Sequence, residues 1–293
     1  MIEIPAALIA TQNKHGGAAG RAFVAALPEL VDELLERWEL RPDGPAMHGQ
    51  TALVLPVRSR DGGESVLKLQ VVDDESVGEP AALRVWNGDG AVRLLEHDPA
   101  TGAMLLERLD FSRHLSSTDA RAAVQIIAEL LSRLTSRPAP GGMRRLGDVA
   151  AAMLEDVPGA VTRLATDDDR RLLIDCAGAL RDVVAEPGDR LLHWDLHYDN
   201  VLASEREPWI VIDPKPLAGD PGFELLPALV NRYDPAETAW RFDLMTDVLD
   251  LDRERARAWT LGRILQNGLW DIEGGECRLA DQQAAIARML LAR

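Results

Sequence analysis

The chain has 293 residues, which points to about two domains or lobes. Its 46% hydrophobic and 27% charged composition is that of a globular protein, too apolar for disorder. With 48 acidic against 32 basic residues the formal charge is −16, which argues against a general nucleic-acid binder, because neutralising phosphates needs a basic face. The longest uncharged run, residues 44–57, is too short to cross a bilayer and is broken by Pro45, Gly49 and Pro56. No basic n-region opens the chain, so neither a secretory signal nor a membrane partner is expected. Cys176 and Cys277 lie far apart with no CxxC pattern; the expectation is a reduced, cytoplasmic protein without thiolate zinc.

Helical spacing of Phe23, Leu27, Leu30, Val31, Leu34, Leu35 and Trp38 predicts an amphipathic helix over 21–40. A turn at 41–45 follows, then a change to strand patterning. Strands are predicted at 51–57 and 65–72, joined by the turn Arg60-Asp61-Gly62-Gly63. Ser76 and Glu79 have capping-box spacing before a short helix that Asn87-Gly88 ends. Two more strands are predicted at 92–96 and 103–109. Helices follow at 118–135, 144–157 and 168–185, then a β-like island at 190–194, 200–203 and 209–212, then helices from 223 onward. A β-rich N-terminal part thus meets a helical C-terminal part near 107–110, an α+β arrangement of two lobes. The expected division is residues 1–107, with leading helices and nucleotide binding, and 108–293 for catalysis and substrate binding.

The densest polar cluster is His193-Trp194-Asp195-Leu196-His197-Tyr198-Asp199-Asn200, after a short strand. Thirteen residues on, Asp213 closes the apolar run Trp209-Ile210-Val211-Ile212. Strand pairing would bring Asn200 and Asp213 together as two oxygen ligands, the sparse set magnesium takes when substrate phosphates complete its shell. Asp195 could accept a proton from a substrate hydroxyl. The spacing is that of a kinase catalytic loop followed by its metal-binding Asp. Lys68 in a strand and Glu79 at the next helix start match the phosphate-positioning pair of the same template. The alternatives at these positions are a polar capping loop, a capping-box Glu79 and a snorkelling Lys68. H-x-D-x-H could also ligate a transition metal in a hydrolase. Only three basic residues are lysines, Lys14, Lys68 and Lys215, in a chain that otherwise uses arginine. Lys215, between two prolines, is either a phosphate contact or a structural lysine.

Three segments together resemble the aminoglycoside phosphotransferase family, in the branch of streptomycin 6-phosphotransferases and hydroxyurea phosphotransferases. They are ALRVWNGDGAVRLLEHDPATGAMLLERLD (residues 82–110), HWDLHYDNVLAS (193–204) and WIVIDPKPLAGDPGFEL (209–225); PVRSRDGGESVLKL (56–69) matches more loosely. The resemblance implies a bilobal protein-kinase-like fold and ATP- and Mg2+-dependent phosphorylation of a small-molecule hydroxyl. It implies Asp195 as catalytic base, Asn200 and Asp213 as metal ligands, and Lys68 with Glu79 at the phosphates. His197 stands near the transferred phosphate, and the backbone near Glu107 and Leu109 receives adenine. The turn His48-Gly49-Gln50-Thr51 is poorer in glycine than the family's phosphate-covering loop. Trp194 replaces a usually small residue, and a large ring there would narrow the site.

The acceptor side is expected among Asp199, Glu224, Asn231, Trp270, Asp271 and Glu273. An aromatic ring beside two carboxylates could grip a cationic or polyhydroxylated amine. Streptomycin-like aminocyclitols or hydroxyurea are the acceptors the resemblance suggests, in an antibiotic-resistance role. A metabolic amino-sugar kinase (for example of glucosamine) and an inactive kinase-fold binding protein are the competing readings. A monomer or homodimer is expected.

Overall fold

The computed structural model describes residues 2–293, in two compact units, Met1–Asp110 and Phe111–Arg293. In the first unit, helices α1 (Ala6–His15) and α2 (Gly17–Arg37) precede strands β1 (Leu40–Pro42), β2 (Met47–His48), β3 (Ala52–Ser59) and β4 (Glu64–Gln70). Helix α3 (Glu79–Trp86) then leads to β5 (Leu94–Asp98) and β6 (Ala103–Glu107). The antiparallel sheet runs β1-β3-β4-β6-β5, with β2 on β3. Side chains alternate along a strand, so Leu53, Leu55 and Val57 of β3 share one face with Leu67 and Leu69 of β4. That face is buried against Leu8 of α1 and Leu27, Val31 and Leu34 of α2. Lys68, between Leu67 and Leu69, necessarily takes the opposite face. The sequence pattern had supplied the hairpin and α2 but not the separate α1.

The second unit is mainly helical. Strand β7 (Asp110–His114) and helices α4 (Ala120–Thr135), α5 (Leu146–Arg163) and α6 (Asp167–Val183) precede strands β8 (Arg190–Leu192), β9 (Val201–Ala203), β10 (Ile210–Val211) and β11 (Leu217–Gly219). Helices α7 (Leu226–Val230), α8 (Thr238–Val248), α9 (Arg253–Glu273) and α10 (Asp281–Leu291) complete it. Asp119, Thr166 and Asp252 accept backbone N–H groups at the starts of α4, α6 and α9, which satisfies donors a helix start otherwise leaves open. Helix α9 is buried on nearly all sides and packs closely on α6: a Cβ added at Gly262 would sit 2.9 Å from Leu180 Cδ1. The short strands pair as β10-β9-β7 and β11-β8, and they frame the polar segment 193–200. An α+β architecture results, β-rich in the first unit and mainly helical in the second, as the pattern of elements predicts.

Candidate active site

Lys68 and Glu79 form a closed pair in the first unit. Lys68 Nζ donates to Glu79 Oε1 at 2.7 Å and Oε2 at 2.8 Å, and the Glu79 side chain is fully buried. Gln70, two residues along the same strand face, donates to Oε2 at 2.8 Å. Period-2 reading of β4 could have found Gln70. The capping box does not form: Ser76 Oγ is taken up by Asp73, α3 starts without a side-chain cap, and the Glu79 carboxylate faces the lysine. Nor is Lys68 a snorkelling surface lysine. Glu107 closes β6 with its carboxylate accepting from Arg93 N, and half-buried Leu109 follows it.

In the second unit the backbone does most of the positioning. Ile212 N donates to Asn200 O at 2.9 Å in the antiparallel pair of β9 and β10, which makes Asp213 a neighbour of Asn200 across the hairpin. Asn200 Nδ2 donates to Asp195 O at 2.9 Å, so its amide oxygen is the acceptor that bond leaves over. Lys215 Nζ lies 3.3 and 3.4 Å from the two oxygens of Asp213. His193 is buried with both ring nitrogens on the backbone: Nε2 donates to Ile212 O at 3.0 Å, and Nδ1 accepts from Asp195 N at 3.3 Å. Burial pushes its pKa down to about 3, so it is a neutral strut. This argues against the H-x-D-x-H metal reading, since no ring lone pair is left for a metal, and no cluster of three or more His, Cys, Asp or Glu among the described residues could hold one.

Asp195 keeps 39% of its side chain exposed, with His197 Nε2 4.0 Å from Oδ2. Burial raises its carboxyl, while His197, Arg263 and Lys215 pull the other way. The residues on either side of this chemistry hold left-handed backbone, Trp194 at φ 66° and Asp213 at φ 56°, a conformation that costs an ordinary side chain about 1–2 kcal/mol. At Trp194 the cost is met by Glu224, whose Oε1 accepts from Trp194 N at 2.7 Å. Glu224 is buried, and burial pushes its carboxyl up to about 7 against the pull of Trp194 N and Arg263. It therefore lies beneath the loop rather than on an acceptor surface, contrary to the expectation from sequence. Asn231 likewise spends Oδ1 on Tyr198 N at 2.8 Å.

The Trp194 ring does not narrow an opening; it is buried. Arg144 stacks on it at 4.3 Å and Arg263 at 5.2 Å, Trp270 lies 6.0 Å away, and Gln266 Oε1 accepts from both Trp194 Nε1 and Arg263 Nη1. Arg144, Arg263 and Gln266 were missed because nothing local marks them; they meet Trp194 only by folding. Of the remaining acceptor candidates, Asp199 and Glu273 are exposed, Trp270 is 45% exposed, and half-buried Asp271 has its carboxyl raised by burial and then by Glu276.

The donor set at Asn200 and Asp213 suits magnesium: one carboxylate and one amide oxygen, leaving room for phosphates and water. The ammonium of Lys215 against both Asp213 oxygens shows that this carboxylate already accommodates a cation.

Solved structures share this architecture. Aminoglycoside phosphotransferase APH(4)-Ia superposes with a TM-score of 0.62 at 14% identity, covering 91% of this chain and 99% of its own. A choline/ethanolamine kinase family protein from Mesorhizobium loti gives 0.62 at 19% identity, covering 90% and 95%. At that identity the likeness concerns the fold: a bilobal kinase fold. Residues 37–275 match the family model described as aminoglycoside/hydroxyurea antibiotic resistance kinase. A hydroxyurea phosphotransferase of Kitasatospora aureofaciens is 64% identical over all of this chain and 87% of its own. A streptomycin 6-kinase of Streptomyces glaucescens is 55% identical over 99% of this chain and 97% of its own. The chain belongs to the aminoglycoside/hydroxyurea antibiotic resistance kinase family, and is a small-molecule phosphotransferase with an alcohol group as acceptor.

Proposed function

We propose that the protein transfers the γ-phosphoryl group of ATP to a hydroxyl of hydroxyurea or of a streptomycin-like aminocyclitol, in an antibiotic-resistance role. The observation that carries this reading is the convergence of Asp195, Asn200 and Asp213 on one strand–loop–strand segment, in a chain 64% identical to a hydroxyurea phosphotransferase. Asp195 takes the acceptor proton; its half-buried carboxylate, still open on one side, and the loop bond from Asn200 suit it to that role. Asn200 and Asp213 hold magnesium, which supplies charge neutralisation to the phosphates when bound. Lys68, fixed by Glu79, orients phosphates as a point charge, and His197 stands by the group in transfer. The backbone near Glu107 and Leu109 receives adenine. Asp199, Trp270, Asp271 and Glu273 remain for the acceptor.

The test is ATP consumption with magnesium and hydroxyurea, streptomycin or glucosamine, each alone, with the product weighed by mass spectrometry. Acceptor-dependent turnover and gain of one phosphoryl group on hydroxyurea or streptomycin is expected. Turnover confined to glucosamine would replace the resistance reading with a metabolic one, and no turnover with any of the three would defeat it.

A further inference from the structure

The molecule contains two lysine–carboxylate pairs of different kinds. Lys68 and Glu79 are buried and close, at 2.7–2.8 Å, the length of a tight charge-assisted hydrogen bond. Lys215 and Asp213 are longer, at 3.3 and 3.4 Å, with the lysine side chain 19% exposed. The first pair is a fixed clamp. The second is loose and partly open to solvent, so its ammonium can leave one acceptor for another. Its backbone cannot move as freely. Pro214 and Pro216 flank it with fixed φ, and Lys215 N donates to His193 O at 3.0 Å, which ties it to the segment carrying Asp195.

The charges around this ammonium define its task. It adjoins Asp213, its backbone is tied to His193 two residues before Asp195, and its charge acts to lower the Asp195 carboxyl. Arg263 also acts on Asp195, but its guanidinium is engaged with Gln266 and stacked near the Trp194 and Trp270 rings. Lys215 is thus the cation on a flexible stem held against Asp213, with its backbone tied to the segment that carries Asp195. A chain that otherwise uses arginine places a lysine here, where a compact ammonium with three rotatable donors serves better than a planar fork.

We propose that Lys215 is a further catalytic residue of the transfer: its ammonium holds Asp213 before the nucleotide arrives, and then moves onto the oxygens of the γ-phosphoryl group in flight. This rests on the phosphotransferase reading. In the step itself, the acceptor oxygen forms a bond to the γ-phosphorus. The bond from that phosphorus to the β,γ-bridging oxygen breaks, and its electron pair leaves with ADP. The acceptor proton passes to Asp195, and Lys215 gives up no proton in the step. Negative charge spread over the equatorial oxygens is what a positioned cation stabilises most in such a transition state.

The experiment needs no acceptor. Wild type and Lys215→Met are titrated calorimetrically with ADP and magnesium, and again with aluminium fluoride added to mimic the phosphoryl group in flight. The Mg–ADP Kd is expected to stay within about 3-fold, while the tightening by fluoroaluminate falls on the order of 10²-fold. Lys215→Gln, of similar reach and without charge, repeats the measurement if the Met variant does not fold. Equal tightening in wild type and variant, or none in wild type that binds Mg–ADP, overturns the proposal. So does an equal loss of Mg–ADP binding and of fluoroaluminate binding, which makes Lys215 only a support for Asp213. A wild type that binds no Mg–ADP overturns the phosphotransferase reading, and this proposal with it.

Discussion

Replacing Glu224 by Gln should change how stability depends on pH while leaving the loop in place. The amide oxygen can still accept the Trp194 N–H, so the left-handed backbone keeps its support. The carboxyl it replaces is buried, with Oε2 lacking a hydrogen-bond partner, and burial pushes it from 4.5 up to about 7. A carboxyl raised in the folded state contributes stability that is complete below pH 4.5 and is lost as pH rises through about 7. At about 1.4 kcal/mol per pH unit, the loss is roughly 3 kcal/mol. His193 acts in the opposite sense. Burial pushes it from 6.5 down to about 3, so its contribution is complete above 6.5 and is lost as pH falls. Between pH 4.5 and 6.5 the two slopes oppose each other and largely cancel. Glu224→Gln removes one of them. Urea unfolding of both proteins at pH 4.5, 5.5, 6.5 and 8 should show the variant gaining about 1.4 kcal/mol per pH unit on wild type up to about pH 7. Other titrating groups are common to both proteins and drop out of the difference. A difference independent of pH would refute the argument that Glu224 is held against its charge.

Asp195→Asn should lower turnover by about 10²–10⁴-fold with ADP affinity within about 3-fold of wild type, measured by steady-state kinetics and calorimetry; near-normal turnover would remove Asp195 as the base. Asp213→Asn should raise the magnesium concentration needed for half-maximal rate, with partial recovery at excess magnesium; an unchanged magnesium dependence would show that Asp213 is no ligand. Glu79→Ala leaves the buried Lys68 ammonium without its carboxylate and should cost about 3–5 kcal/mol in urea unfolding of the full chain. Asp271→Asn should raise the acceptor KM and leave the ATP KM unchanged; equal values for the acceptor would make the end of α9 an ordinary solvated surface.

The parts legible in the sequence are those in which neighbours in the chain are neighbours in space. Strand alternation alone sets Lys68 on the face opposite Leu67 and Leu69, and a helix begun at Glu79 brings the carboxylate to it. A hairpin of short strands is enough to bring Asn200 and Asp213 together, so the spacing in the sequence already carried that pair. The capping box failed because tertiary context outweighed a local rule: the buried Lys68 ammonium gains more from the Glu79 carboxylate than a backbone N–H at the helix start does.

Only folding decided the rest. Glu224, read in the sequence as a candidate on the acceptor side, lies 30 residues from the Trp194 amide it accepts from, and no local pattern reports its burial. The Trp194 ring entered the interior because Arg144, Arg263 and Trp270, from distant segments, close around it. The raised Glu224 and depressed His193 follow from desolvation, which depends on everything packed above a group and on almost nothing beside it in the chain. Residue types in sequence named the chemistry; packing chose which carboxylates stay open to solvent and which hold the backbone that presents them.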